Sequence, residues 1–206
     1  MKEAGVPPDK TTRMNDEAQE VLDFWFGAAG SEPFGTQRKV WFTKNDGFDR
    51  IVAERFGSTI EKALRGELDV WAGSASGALA RILLLDQFTR NAFRGRPRAF
   101  AGDAQALAAA GAMVGSRLDE GLWPLMRAFV YMPFEHAEGM AAQDEAVRLF
   151  SRLATAAPEL GNMLDHARRH RAIVERFGRF PHRNAILGRA STAEEIAYLA
   201  QPGSTF

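Results

Sequence analysis

The sequence predicts an all-α fold, and three observations carry that prediction. Apolar residues recur at three- and four-residue intervals through most of the chain. No run of alternating β-branched residues bounded by turns occurs. Glycines and prolines fall between the periodic stretches, where helices stop. The expected architecture is about eight or nine helices with short connections, packed as antiparallel pairs. Pairs stacked side by side would give a solenoid-like array, although no internal sequence repeat accompanies it.

Residues 1–14 hold Pro7, Pro8 and two threonines without periodicity and are expected to be a disordered lead. Residues 15–206 are expected to form a single helical domain. Asn15 is placed to cap the first helix, with Asp16 and Glu17 in its first turn and Val21, Leu22, Trp25 and Phe26 at helical spacing. Gly27 stops it, a loop runs to about residue 35, and Trp41-Phe42 is a short aromatic anchor. Asp46 opens the next helix, Gly57 is placed to bend it and Gly66 stops it. Trp71 lies in a connector, and Ser74 or Ser76 caps the most apolar segment, Leu79 to Phe88, which ends near Phe93-Arg94-Gly95. An alanine-rich helix, Phe100 to Val114, should make tight helix contacts before Gly115. Leu118 to Tyr131 is a further helix, broken or kinked at Met132 by Pro133, and a long helix then runs from about Phe134 to Ala156. Glu159 to Phe177 follows, then a polar turn, Phe177 to Asn184, and a short piece from Ala185 to Gly188. Ser191 with Glu194 is expected to form the capping box of a last helix ending near Ala200.

Composition narrows the function classes. The chain has 206 residues, formal net charge zero and no cysteine. Neutrality gives no global argument for nucleic acid or an acidic membrane. The lack of cysteine removes disulfides, thiolate metal sites and cysteine nucleophiles, and fits a cytoplasmic protein. The N-terminus has no apolar core resembling a signal peptide, and no window approaches the ~18 apolar residues of a membrane span. Arginine outnumbers lysine by 21 to 5, so position must select the arginines that matter.

Four segments carry candidate chemistry. In Leu83–Arg94, helical spacing sets Asp86 over Arg90, and Gln87 over Asn91 and Arg94. A carboxylate in so apolar a helix needs a cation. In Tyr131–Glu138, His136 would fall in the first turn of a helix, where an imidazole stays neutral and can act as a base, with Glu135 or Glu138 to orient it. In Asp165–His170, His166 and His170 share a face at metal-site spacing. Ala167 stands where a zincin glutamate would be, so no metal is assigned, and one histidine is expected to face the core and the other solvent. In the polar turn and its continuation, Arg179, His182, Arg183, Asn184 and Arg189 converge. Seven arginines against one acid, Glu175, lie between residues 168 and 189. Such a field needs counter-charge, from Asp86, Glu135 and Glu138 or from an anionic ligand. No Walker loop, nucleophile elbow or dinucleotide fingerprint occurs.

Four of the stretches above, Val21-Leu-Asp-Phe-Trp-Phe-Gly27, Leu85-Asp-Gln-Phe-Thr-Arg-Asn-Ala-Phe-Arg-Gly95, Tyr131-Met-Pro-Phe-Glu-His-Ala-Glu138 and Phe177-Gly-Arg-Phe-Pro-His-Arg-Asn184 with Leu187-Gly-Arg189, resemble the bacterial domain of unknown function family 924. The resemblance spans about residues 20–200 and departs at Thr89, where the family usually has proline. It implies a tetratricopeptide-repeat-like helical fold and brings no established activity. The expectation is a polar pocket that binds a small anionic ligand, with hydrolysis of that ligand left open. Asp86, Arg90, Asn91, Arg94, Arg179, Arg183, Asn184 and Arg189 would hold the anion, and His136, His182 and Glu138 would supply acid–base chemistry, with no cofactor and no metal. The alternative is a protein- or peptide-binding helical scaffold whose polar cluster is a structural lock. Neither nucleic acid nor membrane is expected as a partner, and oligomeric state is left open.

Overall fold

The computed structural model describes residues 10–31 and 34–204. Among these the secondary structure is helical, without a strand, in keeping with the all-α expectation. The α-helices are α1 (Lys10–Phe26), α2 (Asp46–Leu64), α3 (Ala75–Leu83), α4 (Thr89–Ala92), α5 (Asp103–Gly115), α6 (Pro124–His136), α7 (Met140–Ala156), α8 (Gly161–Phe177) and α9 (Ala193–Leu199). A π-helical turn, Leu84–Phe88, joins α3 to α4 without a break, so the described residues form eight rods. α7 packs most extensively on α8 and α6; α5 lies on α6 and α3, and α1 on α3.

Several boundaries differ from the sequence expectation. α1 begins at Lys10, so Asn15 lies inside it and residues 10–14 of the expected lead are helical; residues 1–9 lie outside the described residues. Asn45, not Asp46, caps α2, its side chain accepting from Phe48 N at 2.9 Å. α2 runs through Gly57 without interruption. Ser74 caps α3 by accepting from Gly77 N. The capping box of α9 is Thr192 with Glu195, one residue beyond Ser191 and Glu194, because Glu195 is also the carboxylate that Arg179 reaches.

The largest correction concerns Pro133. The chain does not break at Met132; α6 continues through the proline to His136, and α7 starts only at Met140. A proline inside a helix costs about 3 kcal/mol in isolation, but here tertiary contacts offset it. Residues 128–135 are all buried. The last carbonyls of α6 are taken by Gln143 on α7, whose Nε2 donates to Glu135 O and Ala137 O at 2.7 Å each. His136 therefore ends one helix rather than starting the next.

The core is aromatic at its centre. Trp25 and Phe26 of α1, Trp41, Phe88 of the π turn and Phe129 of α6 pack with ring centroids 4.9–5.8 Å apart. Arg38 fastens the end of α1 to this centre by donating to the carbonyls of Phe24 and Trp25. Ala106 and Ala110 of α5 are fully buried, as the alanine-rich pattern predicts. A second, smaller cluster holds the C-terminal segment: Ile173, Val174 and Phe180 with Met140, Phe177 and Tyr198. Gly102 brings the start of α5 against the π turn so closely that a Cβ there would lie 2.2 Å from Leu85 O. That approach sets Asp103 beside Arg90.

Candidate functional site

The site is built on the π turn. Its wider turn breaks the three- and four-residue register of an α-helix. Gln87 therefore does not lie over Asn91 and Arg94 as spacing predicts. It donates back to Asp86 Oδ2 at 2.6 Å and touches Met132 Sδ. Asn91 and Arg94 reach instead to Asp49 on α2, at 2.7 and 2.5 Å. The carbonyls at the turn are satisfied by side chains. Thr89 Oγ1 donates to Leu85 O at 2.7 Å, and Arg90 Nη1 to Asp86 O at 2.6 Å.

Asp86 is wholly buried. Burial alone would raise its pKa, but Arg90 Nη1 at 3.0 Å and His136 Nδ1 at 2.7 Å hold the carboxyl below its ordinary range. An ionised carboxylate only accepts, so His136 Nδ1 carries the proton of this contact, which leaves Nε2 of the neutral ring with its lone pair. The sequence expectation gave the orienting role to Glu135 or Glu138; the carboxylate that orients His136 is Asp86. The end of a helix would favour imidazolium, yet burial dominates and lowers the His136 pKa, with Asp86 offsetting part of the effect. Burial, rather than a helix start, is thus what favours the neutral ring.

Arg90 links this pair to a second carboxylate. It is bidentate to Asp103, at 2.9 and 3.1 Å. Asp103 also meets Arg183, with Nη1 at 3.4 Å from Oδ2. Arg183 is buried, and its guanidinium carbon lies 4.8 Å from the Phe100 ring centre and 4.6 Å from that of Phe180. Its Nε is buried without a hydrogen-bond partner. Burial and the neighbouring Arg90 push its pKa down to about 10. Beside it, His182 packs on the same Phe180 ring at 5.6 Å between centroids. Burial, then the charge of Arg183, push His182 down to about 4. On α8, His170 is buried and His166 exposed. His170 Nδ1 lies 2.8 Å from Glu135, and its ring is 6.2 Å from that of His136.

The remaining expected site residues are arranged around this centre rather than in it. Glu138 is bidentate to Arg189, at 2.6 and 2.9 Å, and accepts from Phe180 N at 2.8 Å. These contacts hold its pKa down despite partial burial. Arg179 is bidentate to Glu195, which also accepts from Asn184. Glu195 is held down to about 2, chiefly by Arg179. Asn91 and Arg94 line a separate cleft of about 370 Å³ with Lys44, Asp49, Arg50 and Arg96. Among the described residues, no three His, Cys, Asp or Glu side chains gather as metal ligands, and no helix is long and apolar enough to cross a membrane.

Sequence reasoning missed the carboxylates that answer the arginines. Asp103, Glu195 and Asp49 each sit in the first turn of a helix and read as dipole-favouring acids. One signal was available: the threonine three residues before Glu195 fits a capping box as well as Ser191 does before Glu194.

Fold and site together define an all-α protein with a buried Arg/His/Asp ion-pair cluster where the π turn, α5, α6 and the C-terminal turn meet. Residues 21–203 match the family described as "Bacterial protein of unknown function (DUF924)", and the chain belongs to that family. It is similar to a solved structure of a protein of unknown function from Agrobacterium tumefaciens: TM-score 0.80, 41% identity, covering 91% of this chain and 98% of that one. No curated protein matches the chain.

Proposed function

We propose that the protein binds a small anionic ligand beside His136, His182, Arg90 and Arg183, and hydrolyses it with His136 as the general base. The observation that carries this reading is the Asp86–His136 pair: a buried, ionised carboxylate fixes the imidazole through Nδ1 and leaves Nε2 of a ring that is 17% exposed to take a proton from water. Arg183, crowded by two rings and only weakly met by Asp103, supplies the positive charge. His182 is the second acid–base candidate, and Glu138, paired with Arg189, acts on it electrostatically. The chain is taken as one helical domain working in the cytoplasm, a placement supported by its lack of cysteine.

The test is a thermal-shift screen of small carboxylates and phosphate esters, followed by hydrolysis assays on chromogenic esters. Binding should raise the melting temperature. His136→Gln should abolish turnover and leave binding in place. A screen in which no anion stabilises the protein removes this reading.

A second reading is favoured by one observation. Arg94, Arg179 and Arg189 are each answered inside the protein, by Asp49, Glu195 and Glu138. On that reading the polar cluster is a structural lock within a tetratricopeptide-repeat-like array of antiparallel pairs, and the helical faces bind a protein or peptide. Neutralising variants would then lower stability without affecting any small-molecule affinity.

A further inference from the structure

We infer that the anionic group of the ligand is a carboxylate received by the free edge of Arg183, and that its binding is accompanied by proton uptake at His182. This rests on the small-anion reading of the same site and goes on to its chemical class. The Arg183 side chain is 7% exposed. Nη1 faces Asp103, Nε is buried without a partner, and Nη2 makes no hydrogen bond to the described residues. Nε–H and Nη2–H are parallel donors along one edge of the guanidinium plane. Two coplanar oxygens match that edge. The rings of Phe100 and Phe180 crowd the guanidinium, so approach is by the edge, which suits a planar carboxylate better than a tetrahedral phosphate.

Charge balance supplies the second half. Around the site Arg90, Arg183 and Arg189 face Asp86, Asp103 and Glu138, with Glu135 beyond them against His170. A bound monoanion adds one negative charge, which the His182 imidazolium offsets in the acid range where that ring titrates. His182 is the group placed to respond. It packs on the same Phe180 ring as Arg183, and it is acted on by Arg183 from its own turn, by His170 from α8, and by His136 and Glu138 from the end of α6 and the link beyond it. In the free protein burial and the Arg183 charge keep it neutral. A carboxylate on Arg183 cancels that charge and favours the protonated ring.

Histidine ring NMR titrations of the whole chain test this, run with sodium acetate, phosphate or chloride at matched ionic strength. Acetate should raise the His182 midpoint by about one pH unit and leave the exposed His166 unmoved. Phosphate should shift it less. Arg183→Lys keeps the charge but loses the fork, and should abolish the acetate effect. The comparison of acetate with phosphate in the unaltered chain decides the matter even if that variant does not fold. Acetate that perturbs the His182 signal without moving its midpoint overturns proton uptake and leaves the anion site standing. A larger effect of phosphate overturns the carboxylate class alone. If neither anion affects any histidine, both this inference and the small-anion reading fall.

Discussion

Replacing Asp86 with asparagine removes the charge at the centre of the cluster and keeps the shape. The carboxylate is wholly buried and meets His136 at 2.7 Å, Arg90 at 3.0 Å and Gln87 at 2.6 Å. Breaking a buried ion pair by removing one partner costs about 3–5 kcal/mol. Arg90 keeps its bidentate contact with Asp103 and is 19% exposed, so the lower end applies. Asp86→Asn should therefore lose about 3 kcal/mol, or roughly 6–12 °C in melting temperature for a domain of this size. Urea denaturation at neutral pH measures it, with a double-mutant cycle through Arg90→Gln to isolate the pair. The pH dependence gives an independent check. The folded pKa of Asp86 is depressed, so its contribution is fully present above the unfolded value of about 3.9 and is lost as pH falls through the lower folded value. The gap between wild type and variant should close in strong acid. A loss under about 1 kcal/mol at neutral pH would mean that the buried carboxylate is not held by its cations, and would refute the reasoning.

Gly102→Ala would place a methyl group 2.2 Å from Leu85 O, which the Thr89 hydroxyl already engages. Chemical denaturation should find a loss of about 1–3 kcal/mol. Gly57→Ala, mid-helix in α2 with nothing within 4 Å of the added Cβ, should instead gain about 0.5–1 kcal/mol. His182 and His136 both have lowered folded pKa values, so their contribution is present above the ordinary 6.5 and lost as pH falls from there, toward about 4 for His182. Denaturation across that window should find stability falling, with a shallower slope in His182→Asn. Glu138→Ala removes the acceptor of Phe180 N and the partner of Arg189. Hydrogen exchange over residues 179–190 should then speed up about tenfold while the α1–α3 core is unchanged.

The Trp25, Phe26 and Phe88 core was legible because helical periodicity reports buried faces directly. So was the pairing of Asp86 with Arg90, which are four residues apart and remain in contact in the structure. The orientation of His136 was not legible. Its partner lies fifty residues away, and the helix it belongs to depends on whether Pro133 ends α6. Gln143 and the burial of residues 128–135 decide that, and neither is a local property. Asn91 and Arg94 were set over Gln87 because α-helical register was assumed, and the π turn sends them to Asp49 instead.

The sequence by itself determined the all-α class, most helix stops and the set of charged and imidazole side chains near the last turn. These follow from periodicity, backbone-limiting residues and composition, each a short-range property. Only the tertiary structure decided which carboxylate answers which arginine. Ion pairing depends on distances of a few ångströms between elements far apart in the chain, and those distances are fixed by packing: Gly102 against Leu85 O, the π turn that rotates Asp86 inward, and Phe180 setting Arg183 and His182 side by side.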